Sequence, residues 1–88
     1  MVLSNTNVVA YCVYVLRSAS DGKRYVGLSS DASKRLREHN AGKVRSTRSR
    51  RPLVLVYQET SESLAEAREL EKYFKTAAGR RYLESRGF

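Results

Sequence analysis

The sequence predicts an α+β domain, a small three-stranded antiparallel sheet flanked by helices in the order β-β-α-β-α-α. Three observations predict it. Two apolar, β-branched or aromatic runs are separated by a short turn carrying Asp21-Gly22, a hairpin signal. A third such run follows Pro52. The stretches between and after these runs carry apolar residues at helical spacing, with capping residues at their ends.

The first strand covers residues 8–16, VVAYCVYVL. It has no polar alternation, so both of its faces are expected to be covered. Cys12, Tyr14 and Leu16 would share one face, and Tyr11, Val13 and Val15 the other. Residues 1–7 are polar and expected to fray. After the turn at residues 18–22, Arg24-Tyr25-Val26-Gly27-Leu28 returns as the second strand. Ser29, Ser30 and Asp31 offer helix caps; Ala32, Leu36 and His39 follow at helical spacing, and Asn40-Ala41-Gly42 closes that helix. Leu53-Val54-Leu55-Val56-Tyr57 is a third strand, again apolar on both faces. Ser63 and Glu66 form a capping box for a second helix reaching about Ala78, and a short last helix spans residues 79–85. With no repeat and no linker, residues 1–88 form a single domain whose core runs from about 9 to 85.

Seventeen Lys and Arg against nine Asp and Glu give a formal charge of +8. So large an excess on 88 residues points to a polyanionic partner, and to nucleic acid first. Cys12 is the only cysteine, which excludes an intrachain disulfide and a cysteine zinc cage; in its apolar strand it reads as a buried, inert thiol. No apolar run approaches the roughly 18 residues of a membrane span, and the start lacks signal-peptide character. The expectations are a cytoplasmic protein with no membrane association.

Helical geometry singles out a few residues. Leu64, Ala67, Leu70, Phe74, Ala77 and Ala78 form one apolar stripe, and Glu71 falls inside it. A carboxylate there is costly unless it is paired, holds a cation or bends out to water. In the first helix Arg35 and His39, four apart, are neighbours beside the Ala32–Leu36 stripe. They offer a guanidinium and an imidazole suited to phosphate binding and proton traffic, or alternatively a packed stem and a core histidine. Tyr14 and Tyr25 sit in strands, where tyrosines are ordinarily core residues with a bonded hydroxyl. Gly27 marks a place where something approaches the backbone.

Taken in order, these pieces resemble the GIY-YIG nuclease family over residues 10–83, and its small stand-alone branch in particular. CVYVL around Tyr14 looks like the GIY half of the signature, and Tyr25-Val26-Gly27 like the YIG half. LSSDASKRLREHNAGK resembles the family's first helix, placing its arginine at Arg35 and its histidine at His39. STRSRRPLVLVYQE resembles the third-strand region, and AEARELEKYFK the helix whose glutamate binds metal, here Glu71. Cys12-Val13 replaces the Gly-Ile of the first motif, and the asparagine of some larger members has no counterpart.

The resemblance implies the GIY-YIG fold and a metal-dependent DNA endonuclease of low sequence specificity, selective for structured or single-stranded targets. Its catalytic residues would be Tyr14, Tyr25, Arg35, His39 and Glu71. Glu71 would hold one Mg²⁺ or Mn²⁺. Tyr14 would serve as the base, its pKa lowered by Arg35 and the metal. Lys23 and Arg24 in the hairpin, and Lys43, Arg45, Arg48, Arg50 and Arg51 in the basic segment, would grip phosphates without reading sequence. The implied partner is DNA, in a role such as DNA repair, with RNA as a second substrate class and a targeting protein as a further partner; the expected state is a monomer. The rival readings are an idle nucleic-acid-binding module and an RNA nuclease.

Overall fold

The computed structural model describes residues 10–88, so Val8, Val9 and the polar start lie outside the described residues. The elements are β1 (Tyr11–Ser18), β2 (Arg24–Ser29), α1 (Ala32–Asn40), a 3₁₀ turn at Arg48–Arg50, β3 (Leu53–Ser61), α2 (Leu64–Phe74) and α3 (Ala77–Ser85). All strands pair antiparallel in the order β2-β1-β3, which is the α+β architecture expected.

The apolar run of β1 makes it the central strand. One face carries Cys12, Tyr14 and Leu16, packed with Ala32 of α1 and with Leu53. The other carries Val13 and Val15, packed with Ala67 and Phe74 of α2 and Leu83 of α3. Alternate residues of one strand thus feed two small cores, with α1 on one side of the sheet and α2 and α3 on the other. β3 departs from expectation. It is an edge strand, longer than the apolar run, and Val54 is 52% exposed, so it is not covered on both faces. Its pairing with β1 shifts register between Val15 and Leu16.

Local chemistry fixes the helix ends. The Asp31 carboxylate accepts from the Lys34 amide and caps α1. Ser63 caps α2 through the Glu66 amide, but the reciprocal half of the capping box is absent: Glu66 instead accepts from the Ser61 hydroxyl, whose oxygen receives the Ser63 amide. α2 ends at Phe74 rather than near Ala78, because the Thr76 hydroxyl accepts from the Gly79 amide and starts α3. Ala77 and Ala78 are exposed, so the apolar stripe of α2 is Ala67, Leu70, Glu71 and Phe74. At the far end of α1, the Asn40 amide donates to the Leu53 carbonyl at 2.9 Å and accepts from the Leu53 amide at 2.7 Å. That two-way clamp pins α1 to the start of β3.

The α2–α3 corner requires a glycine. A Cβ on Gly79 would lie 2.0 Å from the Tyr73 carbonyl oxygen and 2.7 Å from the Phe74 Cα. Alanine inside a helix ordinarily stabilises by about 1 kcal/mol over glycine. Here the sign reverses: Gly79→Ala should lower stability by about 1–3 kcal/mol, read from the midpoint of urea unfolding.

Candidate active site

The first half of the site lies on the α1 face. Tyr14 and Gly27 are direct cross-strand partners, and the Tyr14 ring occupies the space a side chain would take: a Cβ on Gly27 would meet Tyr14 Cζ and Oη at 2.4 Å. The phenol therefore lies across β2, toward the open edge of the sheet. Its hydroxyl is 3.2 Å from His39 Nε2. His39 is completely buried, edge-on to the Tyr25 ring at 4.7 Å between centroids, and its Nδ1 is 2.7 Å from the Thr47 hydroxyl. Arg35 faces the Tyr14 hydroxyl while its guanidinium pairs with Glu38 at 2.6 Å.

The second half comes from α2, on the opposite face. A cleft of about 600 Å³ runs along the β2 edge, walled by Tyr14, Tyr25, Gly27, Leu28 and Arg35 on one side and by Arg68, Glu71, Lys72 and Lys75 on the other. A smaller cavity of about 310 Å³, lined by Arg24, Tyr25, Val26, Glu71, Phe74, Lys75 and Arg80, adjoins it through Tyr25, Glu71 and Lys75. All five residues expected in catalysis are thereby gathered, four at the cleft wall and His39 directly behind Tyr14. A larger cavity, about 810 Å³, lies elsewhere, between the end of β3 and α2. Glu59, Glu62, Glu66 and Glu69 line it, a wall of negative charge that repels phosphate.

Burial sets the protonation states. Burial pushes the Tyr14 phenol above its ordinary value of 10.0, and the opposing pull of Arg35 does not offset it. Arg35 lowers the Tyr14 pKa as expected, but without a metal, desolvation of the phenolate outweighs the guanidinium. Burial, then repulsion by Arg35, holds His39 below 6.5. At neutral pH the pair is a phenol beside a neutral imidazole. Cys12 is buried, its thiol pushed up by burial and directed at Gln58, as an inert core residue should be.

Glu71 is half-buried and pairs with Lys75 at 3.2 Å, one of the outcomes open for a carboxylate in the stripe. Among the described residues no group of three or more His, Cys, Asp or Glu gathers to hold a metal. A single hard carboxylate oxygen at the junction of two cavities still fits a divalent ion that keeps water and takes substrate oxygens. The partly exposed Lys75 pair contributes little and is readily exchanged.

The basic segment is ordered, and much of its donor capacity turns inward. Arg48 donates to the Gly42 carbonyl, Arg51 to the Arg48 carbonyl, and Arg50 to Asp21 and to the Arg24 carbonyl. Arg24 donates to the Phe88 carbonyl; Lys23, Lys43 and Arg45 are exposed. Sequence reasoning missed the cations that line the cleft, Arg68, Lys72 and Lys75. Their spacing beside Glu71 was available to the same helical arithmetic. It also missed Glu38, which holds Arg35, and Thr47, for which no local pattern exists.

Comparison with known proteins agrees with this geometry. The model of the GIY-YIG catalytic domain matches residues 10–83, so the chain belongs to the GIY-YIG family, whose members are typically nucleases and generally use a divalent metal. Its relatives are proteins named UPF0213. One from Desulfotalea psychrophila is 40% identical over 72 residues, 80% of this chain and 64% of that protein. One from Bacillus pumilus is 47% identical over 64 residues, 72% of this chain and 64% of that protein. The chain thus spans just under two thirds of the length of these two relatives. The solution structure of a UPF0213 protein from Bacillus halodurans is 32% identical, with a TM-score of 0.54 over 86% of this chain and 83% of that one.

The buried imidazole gives the fold a pH signature. His39 has a lower pKa folded than its ordinary 6.5, so near and below 6.5 the unfolded chain binds the extra proton and stability falls as pH falls. Its contribution should be complete above about pH 7 and lost progressively as pH drops through the folded value. Asp21, held low first by the Lys23 amide, and Glu38, held low by Arg35, add their losses only in the acid carboxylate range. Urea midpoints between about pH 7.5 and 5 should decline in the wild type and stay nearly level in His39→Gln.

Proposed function

We propose that this chain is a metal-dependent DNA endonuclease that hydrolyses phosphodiester bonds with little sequence preference. The observation that carries the reading is the Tyr14–His39 hydrogen bond at 3.2 Å in the wall of a cleft whose opposite wall presents Glu71 among Arg68, Lys72 and Lys75. A phenol joined to a neutral imidazole can pass on its proton; a ring of cations at that phenol suits a phosphodiester.

Tyr14 orients the attacking water and takes its proton while giving its own to His39 Nε2. The pair therefore acts as the base without forming a costly free phenolate in a buried setting. Arg35, steadied by Glu38, grips a non-bridging oxygen where negative charge grows. Tyr25 packs against His39 and lines the cleft beside Glu71, which supports a phosphate contact for it. Glu71 holds one Mg²⁺ or Mn²⁺, which when bound supplies positive charge to the phosphate and the leaving oxygen. Arg68, Lys72 and Lys75 hold neighbouring phosphates, with Lys23, Arg24 and the free cations of residues 43–51 as outlying contacts. All these groups are phosphate-directed, which supports low sequence preference. They also come from one chain, which supports a monomeric enzyme.

Cleavage of single-stranded, duplex and branched DNA, and of RNA, should be assayed with and without Mg²⁺ for the wild type, Glu71→Ala and the triple variant Arg68→Ala/Lys72→Ala/Lys75→Ala. Glu71→Ala should bind DNA yet lose Mg²⁺-dependent cleavage. The triple variant should lose affinity, and the salt slope of its binding should flatten by about 0.7–0.9 per phosphate contact removed. Metal-independent cleavage, or full activity in Glu71→Ala, would refute the role of Glu71. Preferential cutting of RNA would move the substrate class.

A further inference from the structure

Thr47 has no place in the active-site motif, yet it is completely buried inside a largely exposed basic segment. Its hydroxyl is 2.7 Å from His39 Nδ1 and 3.4 Å from the Val44 carbonyl. A carbonyl only accepts, so the hydroxyl proton belongs on the Val44 side, and the Thr47 oxygen is left to accept from Nδ1–H. The opposite end of the chain of bonds favours the same direction. His39 Nε2 is the one hydrogen-bond partner of the Tyr14 hydroxyl among the described residues, so the single phenolic proton is directed there. Both ends thus point to the tautomer with hydrogen on Nδ1 and a free lone pair on Nε2.

We propose that Thr47 is a positioning residue that locks His39 in the Nδ1–H tautomer, so that the imidazole can accept the Tyr14 proton. The chain of donation runs Tyr14 Oη to His39 Nε2, His39 Nδ1 to Thr47 Oγ1, and Thr47 Oγ1 to the Val44 carbonyl. When Tyr14 gives up its proton, the O–H bond breaks and an N–H bond forms on Nε2; Nδ1–H keeps its partner, so the imidazolium arises with both nitrogens donating. The ring cannot rotate away, because Tyr25 packs against it and no solvent reaches it. Thr47 also sits immediately before the Arg48–Arg50 turn, so the basic segment carries the group that sets the base.

This inference rests on the nuclease reading for its purpose, but its first test needs no substrate. His39 is the only histidine in the chain, so its two ring nitrogens give unambiguous ¹⁵N signals in the free protein. The wild type should show hydrogen on Nδ1 and an unprotonated Nε2 at neutral pH. Thr47→Val, which keeps the shape and removes the hydroxyl, should show a mixture of tautomers or the Nε2–H form; Thr47→Ser should restore the wild-type pattern. Hydrogen on Nε2 in the wild type, or an unchanged pattern in a folded Thr47→Val, would overturn the proposal. If Thr47→Val does not fold, the wild-type and Thr47→Ser patterns still decide it. In cleavage assays Thr47→Val should lose at least about tenfold in single-turnover rate, part of the 10²–10⁴ that general acid–base catalysis supplies, with DNA affinity unchanged and Thr47→Ser active. A protein that cuts nothing but shows the expected tautomer pattern would fail the nuclease reading alone.

Discussion

A β-carbon on Gly27 would stand 2.4 Å from the Tyr14 ring, so the register of the β1–β2 pair and the position of the phenol are a single constraint. The two residues are opposite each other in the ladder. Without a side chain at one of them, the other folds over it and reaches the open edge of the sheet. From there Tyr14 can touch what α1 supplies on its own face and look across β2 to what α2 supplies on the other. Shifting the register by one residue would send the phenol into the core of Val13 and Val15 and separate it from His39.

The two sides of the cleft do different electrostatic work. On the α1 side Tyr14 and His39 are neutral and dry: burial raises Tyr14, lowers His39 and leaves proton transfer between them as the accessible change. On the α2 side the groups are charged and wet, and Glu71 sits among three cations. Separating the two by one strand limits how strongly those cations oppose protonation of His39, so the ring can still take up the Tyr14 proton, while Arg35, tethered to Glu38, spans the gap. The acidic wall near Glu59 and Glu69 lies away from the cleft, so the chain's positive excess is concentrated where a polyanion would pass.

Much of this was legible in the sequence. Strand β1 and the hairpin read directly from apolar content and the Asp-Gly turn, since both faces of β1 are buried and leave no ambiguity. Glu71, Arg35 and His39 were visible because helical periodicity turns a misplaced charge into a signal. Helix α2 was overrun at its C-terminal end because Ala77 and Ala78 continue its pattern, while the Thr76 cap that divides α2 from α3 depends on a close approach at Gly79 that only packing reveals. β3 was read as covered on both faces because apolar content does not distinguish an edge strand from a central one. The pull of Arg35 on Tyr14 was foreseen but the larger effect of burial was not, because charge proximity can be guessed from sequence, whereas depth of burial cannot. Thr47 was hidden for a similar reason: a hydroxyl among arginines in a loop has no periodicity to set it apart.

The central claim is that the Tyr14 hydroxyl, joined to His39, handles the proton of the attacking water. Single-turnover cleavage by Tyr14→Phe, with DNA affinity measured in parallel without Mg²⁺, tests it most directly. Removing one oxygen while leaving the ring over Gly27 should cut the rate by about 10² or more and leave affinity unchanged. A phenylalanine variant that cleaves at the wild-type rate, or whose loss is wholly accounted for by weaker binding, would contradict the account.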